Sequence, residues 1–250
     1  MPITLVQHIH KTSSSSANHI TVATADLINI DFYFLLRVGE YTKPRKVKVN
    51  GAWKPATRTR QFRVGDLGFF KDNKVLPRNS PLSILLTADS ATLKISNQKN
   101  GRMGQTIHQE STGDSGAVAS LARRVNHILS SGGSDKNLIC DVHHLQTWTS
   151  VTNRGIISYV RKGAVELDLA KQGIDPDLIG SHSLRAGGAM ALKLHDYPDT
   201  TIQKLGRWSS ATWLDYIHNQ IAHISHGVAK SMSEQLPFVN IGFIEPPSTS

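Results

Sequence analysis

A histidine and an arginine lie three residues apart in the segment SHSLRAGG, where His182 and Arg185 would share one face of a helix. Both side chains suit a phosphate group. A guanidinium donates two parallel hydrogen bonds to phosphate oxygens and stays charged, and an imidazole can carry a proton near neutral pH. Such a pair also arises by chance, so it indicates a site only when further residues accompany it.

Three other segments supply residue types that complete a site for phosphoryl transfer. Trp208 follows in LGRWSSATWLDYIHN, and Tyr216 comes eight residues after it. Upstream, Arg37 ends an apolar run in LLRVGEYTK and is followed three residues on by Glu40. Lys99 lies in the turn segment NQKNG, between two stretches that alternate apolar and polar residues as strands do. The four segments together predict one site.

The chemistry expected of these residues is attack on a phosphodiester, whose negative charge repels nucleophiles and whose alkoxide leaving group is poor. Arg37 and Arg185 would neutralise the phosphate through bidentate hydrogen bonds. Tyr216 would attack phosphorus and hold the strand as a covalent phosphotyrosine, which preserves the bond energy for rejoining without ATP. Lys99 would protonate the leaving 5′ oxygen, and His182 would act on the Tyr216 proton as general base and later as general acid.

This ordered set resembles the tyrosine recombinase family, also called phage-type integrases, and more closely its eukaryotic mobile-element, Crypton-like branch. The resemblance rests on FLLRVGEYT, the hairpin lysine, SHSLRAGG, GRW and the tyrosine after it, and it runs from about Thr24 to about Asn219. Trp208 stands where many members have a histidine. Its indole N–H can still donate to a phosphate oxygen, although it cannot carry a proton. The resemblance implies the catalytic residues Arg37, Lys99, His182, Arg185, Trp208 and Tyr216, with Glu40 in support.

The resemblance also implies DNA integration or site-specific recombination through a 3′-phosphotyrosine intermediate, with no metal and no cofactor. Double-stranded DNA is then the partner, and a homo-oligomer, the synaptic tetramer, acts on it. Family members normally carry an upstream helical DNA-binding domain, and about 23 residues precede the match here. We therefore expect a truncated reading frame, a processed fragment, or a catalytic half whose DNA-binding domain is separate.

Some alternatives stay open at this point. Lys94 lies on the same expected hairpin as Lys99 and would replace it if the strand register shifted by one residue. The chain could also be a truncated or domesticated DNA-binding module without catalytic activity. A type IB topoisomerase would use related chemistry, and a basic structural or RNA-binding protein would require neither Tyr216 nor His182.

Positive charge is concentrated in one part of the sequence. The 250 residues carry a formal net charge of +9. The segment from Lys43 to Lys74 holds ten Lys or Arg residues against Asp66 and Asp72. A polyanionic partner is therefore expected, because basic side chains on phosphates release condensed counterions. The residues expected to contact the DNA backbone are Lys43, Arg45, Lys46, Lys48, Arg58, Arg60 and Arg63.

Composition excludes several other classes. Cys140 is the only cysteine, so neither an internal disulfide nor a cysteine-based zinc site is possible within one chain. The histidines His143, His144, His218, His223 and His226 have no cysteine or carboxylate pattern to complete a metal site. No apolar run approaches the roughly 18 residues of a membrane helix, and the N-terminus does not resemble a signal peptide. We expect an intracellular protein without membrane contact, nuclear if its source is a eukaryote.

The expected architecture is a mostly helical α+β domain, like a tyrosine recombinase catalytic domain, in which a small antiparallel sheet or hairpin packs against helices. Residues 1–23 are expected to be a tether or a truncated remnant, residues 24–226 the catalytic domain, and residues 227–250 a tail. The stretch PLSILLTAD is expected to be β-rich or buried, and ATLKIS and QTIHQ form the hairpin. Helices are expected over 24–36, 114–130, 156–169, 182–194, 200–205 and 211–225.

Overall fold

The structure is a computed structural model that describes residues 1–44, 46–55, 59–95, 104–210 and 214. The helices within these ranges are α1 (Ile3–Ser13), α2 (His19–Phe34), α3 (Val38–Tyr41), α4 (Leu82–Leu85), α5 (Ala117–Ser130), α6 (Asn153–Glu166), α7 (Ser183–Leu194) and α8 (Asp199–Gly206). The strands are β1 (Lys46–Val49), β2 (Ala52–Pro55), β3 (Leu67–Lys71), β4 (Lys74–Leu76), β5 (Ser90–Lys94), β6 (Thr106–Glu110), β7 (Asp141–His144) and β8 (Thr147–Ser150). Short 3-10 helices cover Val64–Asp66, Leu169–Gln172 and Pro176–Leu178.

The described strands form antiparallel sheets that lie among the helices. One sheet has the strand order β4-β3-β5-β6, and β1-β2 and β7-β8 are separate pairs. The expected hairpin is β5 and β6, in which Leu93 pairs with Ile107 and Lys94 with Thr106. The chain is therefore an α+β protein with small antiparallel sheets, as the sequence predicts.

Helix α2 lies at the centre of the core and is buried on nearly every side. Apolar residues occur on all of its faces, and its polar side chains Asp26, Asn29 and Asp31 are buried as well, a pattern typical of a helix with no solvent-facing side. It packs against α1, α5 and α7. The expected start at Thr24 is wrong, because the Asn18 side chain accepts hydrogen bonds from the backbone N–H groups of Ile20 and Thr21 and so caps the helix earlier.

Helix α1 corrects the expectation of an N-terminal tether. Residues 1–23 contain all of α1 and the first turn of α2, and Leu5, Val6 and Ile9 are buried in the main hydrophobic core. Gly163 of α6 makes room for α1, since a Cβ at that position would overlap Leu5 and Ile9. The apolar residues at i, i+1 and i+4 fall on one face, and this face packs against α2 and α6.

Helix α7 packs closely against α2 at Gly188, the second of two adjacent glycines in its sequence. A Cβ on Gly188 would overlap the Phe32 carbonyl oxygen, and one on Gly187 would overlap the backbone of Met1. The segment LRAGGAM therefore brings the first turn of α7 close to the C-terminal end of α2. This approach places Arg185 next to the residues that follow α2.

The remaining expectations divide into three groups. Helices α5, α6, α7 and α8 match the expected ranges within about three residues at each end, and the Thr152 side chain caps α6. The β-rich expectation for PLSILLTAD is wrong, because Leu82–Leu85 form the short helix α4 directly after Pro81. The helix expected over 211–225, apart from Leu214, and the tail at 227–250 lie outside the described residues.

Candidate active site

Arg37 is placed by the turn that joins α2 to α3. Leu35 ends α2 in the left-handed conformation, with φ of 49°. Arg37 then precedes α3, and its backbone N–H donates to Glu40 Oε2 at 2.8 Å. Arg37 Nη1 also donates to Glu40 Oε1 at 3.3 Å. The spacing of three residues between Arg37 and Glu40 thus has a local cause, because the Glu40 carboxylate caps helix α3, which begins directly after Arg37.

Arg185 joins this turn to α7 and to the end of α8. Its Nη1 donates to the Leu35 carbonyl oxygen at 2.5 Å, and its Nη2 donates to the Gly206 carbonyl oxygen. The guanidinium carbon lies 4.3 Å from the ring centroid of Trp208, within the range of a cation–π contact. Arg185 is only 2% exposed. The structure therefore brings Arg37, Glu40, Arg185 and Trp208 together from three distant segments.

Arg207 belongs to the same group, although its residue type and spacing alone did not mark it as a site residue. Its Nη1 and Nη2 donate to Glu40 Oε1 and Oε2 at 2.9 and 3.0 Å, and Nη2 also donates to the Leu35 carbonyl oxygen at 3.0 Å. The Arg207 carbonyl oxygen accepts from Arg37 Nη2 at 3.3 Å. We call Arg37, Glu40, Arg185 and Arg207 the arginine cluster. The only signal for Arg207 was its position in LGRW, directly before Trp208.

The arginine cluster carries more positive than negative charge. Burial by itself raises the pKa of Glu40, but its ion pairs and hydrogen bonds with Arg207 and Arg37 lower that pKa overall. Burial, together with the neighbouring charges of Arg207 and Arg37, lowers the pKa of Arg185 to about 9, so it remains protonated at neutral pH. Three guanidinium groups therefore face one ionised carboxylate, an arrangement that favours a bound anion.

A buried carboxyl group lies beside the cluster. Burial raises the pKa of Asp31 to about 8, although the hydrogen bond from Tyr41 and the charge of Arg185 act in the opposite direction. Tyr41 Oη donates to Asp31 Oδ2 at 2.6 Å. At pH 7 most Asp31 side chains are therefore protonated, and they do not cancel the excess positive charge.

Of the other residues predicted to be catalytic, the structure describes His182, and it also describes the alternative lysine Lys94. His182 is exposed and directly precedes α7, one turn from Arg185. Lys94 is exposed at the end of β5. Lys99 and Tyr216 lie outside the described residues, so the choice between Lys94 and Lys99 remains open and the roles of Lys99 and Tyr216 stay predictions.

The described part of the basic segment contains the strand pair β1–β2, the 3-10 helix Val64–Asp66 and strand β3. Lys43, Lys48, Arg60 and Arg63 are exposed, as side chains that contact a DNA backbone must be. The backbone N–H of Lys43 donates to the Val151 carbonyl oxygen at 2.8 Å, which attaches the start of the segment to the end of β8. Of the other residues expected on the DNA surface, Lys46 lies in β1, and Arg45 and Arg58 lie outside the described residues.

Neither a metal site nor a membrane span is found in the part of the chain that the structure describes. Among these residues, no group of three or more His, Cys, Asp or Glu side chains is arranged to hold a metal ion. No helix in the described ranges has the length and apolar character needed to cross a bilayer. No protein-family model matches the chain, and no curated protein matches it.

Proposed function

We propose that this chain cuts and rejoins double-stranded DNA as a tyrosine recombinase, with Tyr216 as the nucleophile and a catalytic domain of the tyrosine recombinase type. The observation that carries the proposal is the meeting of Arg37, Arg185 and Trp208, which lie far apart in the sequence. The sequence resemblance implies that these three residues belong to one site, and their meeting supports that implication.

The proposed reaction begins when the Tyr216 hydroxyl oxygen attacks the phosphorus of a DNA strand. The bond from phosphorus to the 5′ oxygen breaks, and a 3′-phosphotyrosine forms. His182 accepts the tyrosine proton, and Lys99 donates a proton to the leaving 5′ oxygen. In the rejoining step a 5′ hydroxyl attacks the phosphotyrosine, the two proton transfers run in reverse, and no ATP is needed.

The two arginines would contribute differently to this reaction. The Arg37 side chain is 22% exposed and is the more accessible of the two, which favours it as the direct ligand of a phosphate oxygen. Arg185 is buried and donates two of its five N–H groups to carbonyl oxygens. Its positive charge still acts strongly at short range because the surroundings exclude water.

A DNA-binding module without catalytic activity is the second candidate. The observation that favours it is that Arg185 and Arg207 donate to main-chain carbonyl oxygens, as structural arginines do. In that case the exposed basic residues Lys43, Lys48, Arg60 and Arg63 would bind DNA and no strand would be cut. The two candidates differ in whether a covalent protein–DNA adduct forms.

The experiment that separates them incubates the purified chain with a pool of duplexes of varied sequence, each carrying a nick that lets the cleaved fragment diffuse away. A denaturing gel then shows any covalent adduct. We expect an adduct from the parent chain, none from Tyr216→Phe, and the parental amount from Tyr197→Phe, a matched control at an exposed tyrosine. DNA binding without an adduct from the parent chain would favour the non-catalytic module.

A second assay, on supercoiled plasmid and on pairs of duplexes, distinguishes the topoisomerase alternative. A type IB topoisomerase relaxes supercoiled plasmid without exchanging strands between duplexes, whereas a recombinase joins ends from two duplexes. Strand exchange also requires several copies of the chain on DNA. We therefore expect a homo-oligomer, a synaptic tetramer, in crosslinked complexes that form only when DNA is present.

A further inference from the structure

We propose that Arg207 is a positioning residue, whose buried ion pair with Glu40 fixes the turn from α8 to Trp208 against Arg37. This inference rests on the proposed function, because the turn leads towards Tyr216. The sequence resemblance assigns no role to Arg207. Its role follows from the contacts that both its side chain and its backbone make within the arginine cluster.

The ion pair joins two segments that are 167 positions apart in the sequence. The Nη1 and Nη2 atoms of Arg207 donate to Oε1 and Oε2 of Glu40, and each of the two side chains is 2% exposed. A planar guanidinium that meets a carboxylate in this paired manner fixes direction as well as distance. The Glu40 carboxylate therefore accepts a hydrogen bond from the backbone N–H of Arg37 and also binds the end of α8 through Arg207.

The backbone carbonyl oxygens of the same turn accept hydrogen bonds from the other two arginines. Arg185 donates to the Gly206 carbonyl oxygen, and Arg37 donates to the Arg207 carbonyl oxygen. Arg207 itself has φ of 59° and ends α8 in the left-handed conformation. A Cβ on Gly206 would overlap the Trp208 ring, so the ring packs directly on the turn. Any shift of the turn would move Trp208, which precedes Tyr216 by eight residues in the sequence.

Stability alone gives a weak reason for such a pair. Burying two charges costs desolvation energy that their attraction only roughly offsets, and replacing a buried pair by apolar side chains is often neutral or stabilising. Arg207 Nε is also buried without a hydrogen-bond partner among the described residues. The pair is better explained by the precise orientation that it imposes on the turn.

The experiment compares Arg207→Met, Arg207→Lys and the parent chain on the nicked duplex pool. Single-turnover cleavage rates and DNA affinities are measured separately. We expect Arg207→Met to cleave about 100-fold more slowly, the decrease typical of a misplacement of about 1 Å. DNA affinity should change little, because Arg207 is buried, and Arg207→Lys should recover part of the rate. Arg78→Met is the matched control, since Arg78 also forms a paired contact with a carboxylate, Asp135, at the surface.

A variant that fails to fold is covered by Glu40→Gln combined with Arg207→Gln, which removes both charges of this ion pair together. If this double variant is folded, cleaves slowly and also shows faster hydrogen exchange over 203–210, the pair positions the turn. If it is folded and cleaves at the parental rate, the proposal is overturned. A folded Arg207→Met protein that cleaves DNA at the parental rate would also overturn the proposal.

A second readout does not depend on activity and keeps the two proposals separable. The backbone N–H of Trp208 donates to the Gln203 carbonyl oxygen at 3.0 Å, and hydrogen exchange reports on this bond. We expect faster exchange over 203–210 in Arg207→Met and unchanged exchange in Arg78→Met. If the parent chain forms no adduct, the proposed function fails, and the exchange result still decides whether Arg207 holds the turn. Unchanged exchange in Arg207→Met would refute that role.

Discussion

Replacing Gly188 by alanine tests the close approach of α7 to α2, on which the arginine cluster depends. The added Cβ would overlap the Phe32 carbonyl oxygen and lie 2.5 Å from Leu35 Cδ2. The carbonyl belongs to a buried helix and cannot rotate away, so α7 has to shift. The shift would also strain the hydrogen bond from Arg185 to the Leu35 carbonyl oxygen.

The expected magnitude follows from two opposing effects. Overpacking a dense core costs about 1–3 kcal/mol. Exchanging glycine for alanine in a helix contributes about 1 kcal/mol in the other direction. Gly155→Ala in α6 is the matched control, because its Cβ would meet only Thr152 Oγ1 at 3.4 Å and the helix contribution is shared. Relative to this control, the free energy of unfolding of Gly188→Ala should be about 1–3 kcal/mol lower.

Urea titration gives the difference in free energy directly, and thermal unfolding should show a midpoint roughly 2–12 °C below that of Gly155→Ala. The DNA cleavage rate should fall as well, since Arg185 moves with α7. A Gly188→Ala protein as stable as Gly155→Ala would refute the close packing of α7 on α2.

Three further predictions concern the core, a buried carboxyl group and the basic surface. Leu5→Ala should lower the free energy of unfolding by about 2–5 kcal/mol in urea titration, because Leu5 is fully buried; a silent substitution would mean that α1 is not part of the core. Asp31 has a pKa of about 8 in the folded chain against an ordinary value of 3.8, so the folded state binds the proton more tightly. The contribution of Asp31 to the stability of the parent should therefore fall as pH rises from about 4 to about 8. Asp31→Asn should lose that dependence, and equal pH slopes in the two proteins would contradict the burial argument. Replacing Lys48 and Arg60 together by alanine should make the fall of log DNA affinity with log salt less steep, by about 0.9 for each phosphate that the variant no longer neutralises. The control Lys171→Ala should leave this slope unchanged. An unchanged slope in the double variant would exclude Lys48 and Arg60 from the DNA surface.

The sequence predicted those elements whose pattern is local. The alternation in ATLKIS and QTIHQ predicted β5 and β6, and helical periodicity predicted α5 to α8. The expectation of one site came from the family resemblance carried by Arg37, His182, Arg185 and Trp208, which is visible in the sequence before the fold is known.

The missed features depend on packing between distant segments. The serines around Ser13 suggested a tether, and the burial of Leu5 and Ile9 becomes visible only once α6 and α2 pack against them. Arg207 resembles any surface arginine until Glu40 is placed beside it. No local pattern indicates that Arg185 donates to two carbonyl oxygens, since these belong to residues 150 and 21 positions away.

The central claim is most directly tested by identifying the bond that links protein to DNA. The trapped adduct from the nicked duplex pool would be digested with protease and nuclease and analysed by mass spectrometry. We expect a single peptide that contains Tyr216 joined to a 3′ phosphate, with a 5′ hydroxyl on the released strand. A linkage through another residue, a linkage to a 5′ phosphate, or no linkage on DNA that is demonstrably bound would contradict the proposed function.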